Sequence, residues 1–216
     1  ASVAFAPAGS ELPVLEKSTL REAPESLLHP GVEPGEVTVS SSGGSTGEPA
    51  TTYRGPVFNE LQRLLIWRNF AGIGWRFGEP VVLIWGKDVG KRKSSLKSKL
   101  SAWMFNRRVF KGWDHTHQID GILRMLTGAK RVWLLGYASK LQYLSEKLLE
   151  RGIPPERFSG VQAIVPAGEV TLPQWEETYQ EAFGNVPVLP RYGARDAGAL
   201  GYTCRKGSMH YHADAV

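Results

Sequence analysis

Two stretches of this chain hold the residue types that do chemistry on anions. Ser41–Pro49 crowds three glycines together with four hydroxyl residues, Ser41, Ser42, Ser45 and Thr46. Glycines let the backbone curl and come close to a ligand. Successive amides then form a nest for an anion, and the Ser and Thr hydroxyls add donors. Such a loop suits the phosphates of a nucleotide; the same composition also fits a flexible linker. The second stretch, Arg191–Gly198, sets Asp196 beside Arg195. A carboxylate near a phosphate loop can hold Mg²⁺, which takes one or two carboxylates plus phosphate oxygens. The alternative is a surface ion pair worth about 0–1 kcal/mol. Gly86-Lys87-Asp88-Val89-Gly90-Lys91 imitates a P-loop but is one residue short between its glycines, and Arg92 stands where a Ser or Thr would meet Mg²⁺.

Two smaller groups carry metal-ligand chemistry. Cys204 and His210 are a thiol and an imidazole six residues apart, with His212 close by. A structural zinc needs four such ligands, so the residues alone read as a free cysteine and surface histidines. Asp114-His115-Thr116-His117 places its two histidines on opposite sides of a strand, or about 200° apart on a helix, and reads as a helix entry capped by Asp or Thr.

These residues need elements to position them. Thr19-Leu20-Arg21-Glu22 has the pattern of a capping box opening a short helix to about Leu28. Glu36–Ser40 alternates as a strand and runs directly into the Gly/Ser loop. Val57, Leu61, Leu64, Leu65 and Ile66 mark a helical face from Pro56 to Trp75. Strand-like runs at Val81–Trp85, Arg131–Leu135, Val161–Val165 and Val186–Leu189 alternate with three helical patterns. The first of these helices holds Ile119, Ile122, Leu123 and Leu126, and the second holds Leu141, Leu144, Leu148 and Leu149 ahead of Gly152. The third runs from a Thr171 cap through Pro173 to Phe183 and Gly184. Leu200–His212 has the look of a hairpin turning at Lys206-Gly207. The alternation predicts an α/β fold with a largely parallel sheet flanked by helices, ending in a small hairpin-like segment. Ligands in such sheets lie beyond the carboxyl ends of the strands, where Ser41–Pro49 and Tyr192–Gly198 are expected.

Composition narrows the class. Of 216 residues, 42% are apolar and 22% charged, as in folded soluble proteins and unlike coiled coils or disordered tails. With a single cysteine, Cys204, no internal disulfide can form, which suits a reducing, cytoplasmic compartment. No apolar run is long enough for a membrane helix, so no membrane partner is expected. The net charge is +5, and Gly86–Lys99 alone supplies it, with six cations against Asp88. A local basic run reads as a solvated loop or a site that meets anions more than as a nucleic-acid-binding body, although 86–111 could serve one. Most of the seven tryptophans fall at core-periodic positions, while Trp103 and Trp113 flank the basic run and could line an acyl pocket.

Ser42-Gly43-Gly44-Ser45-Thr46-Gly47-Glu48-Pro49 resembles the signature phosphate loop of the adenylate-forming (AMP-binding) enzymes, and Tyr192-Gly193-Ala194-Arg195-Asp196 resembles their Tyr-Gly-x-x-Glu motif. Leu135-Gly136-Tyr137-Ala138-Ser139 and Pro166-Ala167-Gly168-Glu169 match in type and order between them. Leu12–Leu15 ahead of the loop and the Cys/Gly/His stretch at Tyr202–His212 are most similar to the phenylacetate–coenzyme A ligase branch and its capsule-biosynthesis relatives.

The resemblance spans about Leu12 to Val216 and implies a single domain fragment, 1–216, from the large N-terminal domain of such an enzyme. It implies ATP, Mg²⁺ and coenzyme A as cofactors and a small carboxylic acid as substrate. The acid is activated as an acyl-adenylate and then passed to a thiol. Ser42, Gly44, Ser45, Thr46 and Gly47 would cradle the phosphates, and Ala167, Gly168 and Glu169 would lie near the adenine. Tyr192, Gly193 and Arg195 would flank the nucleotide, and Asp196 would hold Mg²⁺. Some members of the branch carry a structural zinc, for which Cys204 and His210 would be partial ligands.

Three departures stand out. Asp196 is one methylene shorter than the family's Glu. The ribose-gripping Thr-Gly-Asp motif is absent, and so is the C-terminal domain with its lysine; both are expected beyond Val216. An inactive or binding-only relative that keeps the nucleotide fold is therefore the alternative.

Overall fold

The computed structural model describes residues 16, 18–41, 51–86, 96–111, 118–194 and 197–213. It divides into two compact units, 1–56 and 57–216.

In the first unit a four-residue helix, α1 (Thr19–Glu22), gives way to a 3-10 turn at Pro24–Leu27. The expected helix to Leu28 does not form, because Pro24 supplies no N–H to continue the ladder. Nor is there a capping box at Thr19: Ser18 is the N-cap and its side chain makes no capping bond. Tyr53 Oη donates to Glu25 Oε1 at 2.9 Å and ties the turn to a two-stranded antiparallel sheet. Its strands are β1 (Thr38–Ser41) and β2 (Thr51–Arg54), paired from Thr38↔Arg54 to Ser41↔Thr51.

The second unit is the α/β body. It contains α2 (Pro56–Gly72), β3 (Val81–Trp85), α3 (Leu96–Met104), β4 (Arg107–Lys111), α4 (Ile119–Gly128), β5 (Val132–Tyr137) and α5 (Ala138–Glu150). β6 (Val161–Ala167), α6 (Pro173–Phe183), β7 (Arg191–Ala194), β8 (Gly198–Thr203) and β9 (Met209–Tyr211) complete it. Seven strands lie in the order β4-β3-β5-β6-β7-β8-β9. The first five run parallel, and β8 and β9 return antiparallel.

Each face of this sheet has its own core. On one, Val82, Ile84, Leu134 and Ile164 meet Ile122 and Leu126 of α4, Leu141, Leu144 and Leu148 of α5, and Tyr179 and Phe183 of α6. On the other, Val81, Trp133, Leu135, Val165 and Ala167 meet Phe70 and Ile73. A strand sandwiched between two cores reads as a continuous apolar run, which is why Val132–Leu135 and Val161–Val165 were legible as strands.

The structure corrects several local expectations. Val57 and Leu64 of α2 are exposed, and the face that packs is Leu65, Asn69 and Phe70. Val186–Leu189 is not a strand: it makes one isolated bridge, Ile164↔Val188, because Pro187 and Pro190 have no amide to donate. The strand comes later, at β7. Thr171 does not cap α6; Leu172 is the N-cap and Thr171 Oγ1 is buried without a partner among the described residues. α3 and β4 lie where the sequence suggested only a basic loop. The expected hairpin is present as β8–β9, turning through Gly207 at φ +82°.

The amino ends of β3 and β5 are fixed by one carboxylate. Glu79 accepts from Arg131 Nε, from Trp133 Nε1 at 2.7 Å and from the Arg76 amide at 3.2 Å. Burial pushes its carboxyl up, but these donors outweigh that and hold it below the usual range. A depressed folded pKa contributes stability above the unfolded value of about 4.3, lost as pH falls through the folded value. Glu79→Gln should therefore cost about 1–3 kcal/mol at neutral pH in urea unfolding, and the gap to the parent should narrow in acid.

Candidate functional site

The order of the strands locates a crevice. From β3 the chain steps outward to β4, then crosses back to β5 on the other side of β3. Connections to either side leave a crevice beyond the carboxyl ends of β3 and β5, the usual ligand position in an open parallel sheet.

Those two ends carry Trp85 and Tyr137, whose rings stack with centroids 4.2 Å apart. The Tyr137 ring lies between two glycines. A Cβ at Gly86 would stand 3.4 Å from Tyr137 Cε2, and one at Gly168 would come within 2.6 Å of Cε1. Gly168 also has φ +76°, a conformation that L side chains rarely adopt. Gly136 lets β5 close on β3, since its Cβ would meet the Ile84 carbonyl oxygen at 2.8 Å. The Gly136-Tyr137 and Ala167-Gly168 dipeptides thus sit side by side, with Tyr137 paired to Ala167.

Glu169 follows Gly168 and has a definite local job. Its Oε2 accepts from the Ser139 amide at 2.8 Å, inside the first turn of α5. A carboxylate there satisfies a free helical amide and faces the positive end of the helix dipole. On the other side of this turn, Tyr179 Oη donates to the Ala138 carbonyl at 2.8 Å. Burial, then the nearby Glu169 and Glu176, push the Tyr179 phenol far up, so it stays a donor at any ordinary pH. The β5–α5 turn is held from both sides.

Tyr192 and Gly193 are in β7 rather than in a loop leading to a helix, as expected from the sequence; the chain turns straight back into β8. Tyr192 is exposed, and the register slips between Tyr192 and Gly193. A Cβ at Gly193 would meet the Gly198 carbonyl oxygen at 2.4 Å, so this crossing admits only glycine without a shift. Gln62 of α2 accepts from the Ala199 amide and pins the start of β8. Arg191 opens β7; burial lowers its guanidinium pKa, and its Nε has no partner among the described residues.

Other expected site residues fall elsewhere. Ser42, Gly44, Ser45, Thr46 and Gly47 lie outside the described residues, as do Arg195, Asp196, Trp113 and the His115–His117 pair. The ends of the Gly/Ser loop are nevertheless placed: Ser41 pairs with Thr51, so residues 42–50 connect two hydrogen-bonded strands. Cys204 and His210 do come together. Hydrogen bonds from the Lys206 amide and from His210 draw the Cys204 thiol down to about 7. His212 does not join them: it is buried, and its Nε2 donates to Asn69 Oδ1 at 2.5 Å. No group of three His, Cys, Asp or Glu side chains able to hold a metal is present among the described residues. Two ligands do not close a zinc site.

Trp85 and Gly86 were not singled out as site residues by the sequence, and Tyr137 was noted only within a motif. A glycine directly after, or just before, an aromatic strand end was the signal available.

Solved structures that share this fold include acyl-CoA ligases. The chain overlays 2-hydroxyisobutyryl-CoA ligase, solved with 2-HIB-AMP and CoA in the thioesterification state, with TM-score 0.67, 21% identity, and coverage of 90% of this chain and 42% of that one. ATP-bound MatB from Rhodopseudomonas palustris matches with TM-score 0.56 and 17% identity over 79% of this chain and 31% of that one. A malonyl-CoA ligase ternary product complex with methylmalonyl-CoA and AMP gives TM-score 0.54 and 19% identity over 76% and 34%. The chain shares their fold. It spans less than half the length of these enzymes. No protein-family profile and no curated protein matches the sequence.

The seating of Tyr137 generates a test. Gly168→Ala forces a Cβ into the ring at a positive φ, so it should destabilise the chain by about 1–3 kcal/mol. Gly128→Ala, at a position with open space around it, should change thermal unfolding far less.

Proposed function

We propose that this chain is the nucleotide-handling part of an adenylate-forming acid–thiol ligase. In that reading a carboxylate oxygen attacks the α-phosphorus of ATP and pyrophosphate leaves with the broken phosphoanhydride bond. The acyl group of the resulting acyl-adenylate then passes to a thiol such as coenzyme A, and AMP leaves. The observation that carries the reading is the Gly/Ser/Thr loop closed at its base by Ser41↔Thr51. A flexible spacer between two bodies has no reason to have its ends paired. A loop between two paired strands does, and glycines with hydroxyls are the composition an anion nest uses. The overlay with ligases that were solved with ATP, AMP or acyl-AMP supports the same assignment.

The finer assignments follow the motifs. Ser42, Gly44, Ser45, Thr46 and Gly47 bind the phosphates, with Tyr192, Gly193 and Arg195 beside the nucleotide. Ala167, Gly168 and Glu169 form the adenine side, where Glu169 acts by fixing the α5 turn. Mg²⁺ is proposed on Asp196; a single carboxylate suffices when phosphate oxygens and water complete the octahedron. The substrate class proposed is a small carboxylic acid, in an enzyme similar to the phenylacetate–coenzyme A ligase branch. The Cys204–His210 pair is given no catalytic step.

Thermal unfolding with and without Mg-ATP tests the nucleotide assignment. Ligand at 100 times its Kd should stabilise the parent by about 2.7 kcal/mol, and the Ser45→Ala, Gly47→Val double variant should lose the shift. An equal shift in parent and variant would remove the loop from the site. ATP–pyrophosphate exchange driven by a panel of carboxylic acids then separates a working ligase from a binding-only relative.

A further inference from the structure

The basic segment that the nucleotide reading leaves unused contains a helix whose sidedness is inverted. α3 carries four large apolar residues, and all four point outward: Leu96 is 88% exposed, Trp103 76%, Leu100 56% and Met104 45%. At roughly 100° per residue these positions fall in one stripe about 100° wide. Lys97 and Lys99 occupy the helix positions bordering that stripe on either side. The inward positions are small: Ser101 and Ala102 are half-buried. Directly after the helix, Phe105 turns in and stacks on Trp67 at 4.3 Å. α3 is therefore anchored by its small face and its following aromatic, and it presents its greasy face to the outside.

The surroundings carry one sign of charge. Gly86–Lys111 holds nine Lys and Arg residues against Asp88 alone. Arg108 of the adjacent edge strand β4 is exposed. An outward stripe of Leu, Trp and Met bordered by lysines is the arrangement of a helix lying in a bilayer interface. There the apolar side chains enter the headgroup–acyl boundary, and the cations meet anionic headgroups. A solvated basic loop has no use for the stripe. A nucleic acid would use the cations but would leave four large apolar side chains in water.

We propose that α3 is a peripheral membrane contact that lays Leu96, Leu100, Trp103 and Met104 into the surface of an anionic bilayer. No helix among the described residues is long and apolar enough to cross a membrane, and this contact needs none. The proposal stands on α3 alone and is independent of the nucleotide assignment.

Vesicle flotation of the full chain tests it, using phosphatidylcholine vesicles with and without phosphatidylserine. Binding should require phosphatidylserine and weaken as salt rises. Lys97→Ser and Lys99→Ser should each reduce partitioning about fivefold. The Leu100→Ser, Trp103→Ser double variant should reduce it at least about tenfold at constant charge. Both latter positions are exposed, so an unchanged thermal melt serves as the folding control. No binding to phosphatidylserine vesicles at low salt overturns the proposal. So does binding that the Leu100→Ser, Trp103→Ser variant leaves intact, since the cations alone would then account for it. A dimer in light scattering that this variant dissociates, without vesicle binding, would assign the stripe to a second copy and also overturn it. Retention on duplex DNA in place of vesicles would do the same in favour of nucleic acid.

Discussion

The carboxyl edge of the sheet depends on where one aromatic ring can sit. Tyr137 ends the central strand, stacks on Trp85 and is walled by Gly86 and Gly168. Any side chain at Gly168 would push the ring out, and the backbone there is already in a conformation that only glycine takes freely. With the ring fixed, the β6 end must pass beside it, which brings Glu169 to the first turn of α5. That helix start is then locked from the opposite side by Tyr179. A chain of close contacts thus fixes the carboxyl ends of β5 and β6 before any ligand arrives, and preorganised sites lose less freedom on binding.

A consequence for anion binding follows from Glu169. A helix start beyond a parallel strand is often a phosphate site, because its free amides and dipole attract negative charge. Here the Ser139 amide of α5 is taken by the chain's own carboxylate. In the proposed function the phosphates are assigned elsewhere, to the Gly/Ser/Thr run at 42–47.

The fold was largely legible because most of its strands and helices are buried on predictable faces. Val81–Trp85, the helix at Ile119–Gly128 and the helix before Gly152 carry their burial in their periodicity. What escaped did so for physical reasons. α3 hides its small residues and shows its large ones, so its pattern reads as a loop. β4 is five residues with three cations at the sheet edge, where one flank needs no burial. Val186–Leu189 has strand composition, but Pro187 within it and Pro190 after it break the ladder. At the candidate site, Ala167, Gly168 and Glu169 follow the Val161–Val165 run that reads as a strand, so their place at the end of β6 was legible. The helix-capping bond of Glu169 and the Trp85–Tyr137 stack depend on contacts between distant segments, which spacing along the chain does not encode.

Among the described residues, both margins of the seven-stranded sheet are ill suited to recruiting another strand. At one end β4 presents Arg107, Arg108 and Lys111 within five residues, so a second β4 brought alongside would set like charges against each other. At the other, β9 is only three residues long and offers few free ladder groups. Open sheets risk growing edge to edge into aggregates, and cationic or very short border strands are common defences. A substitution that neutralises β4 would be the place where that protection first fails.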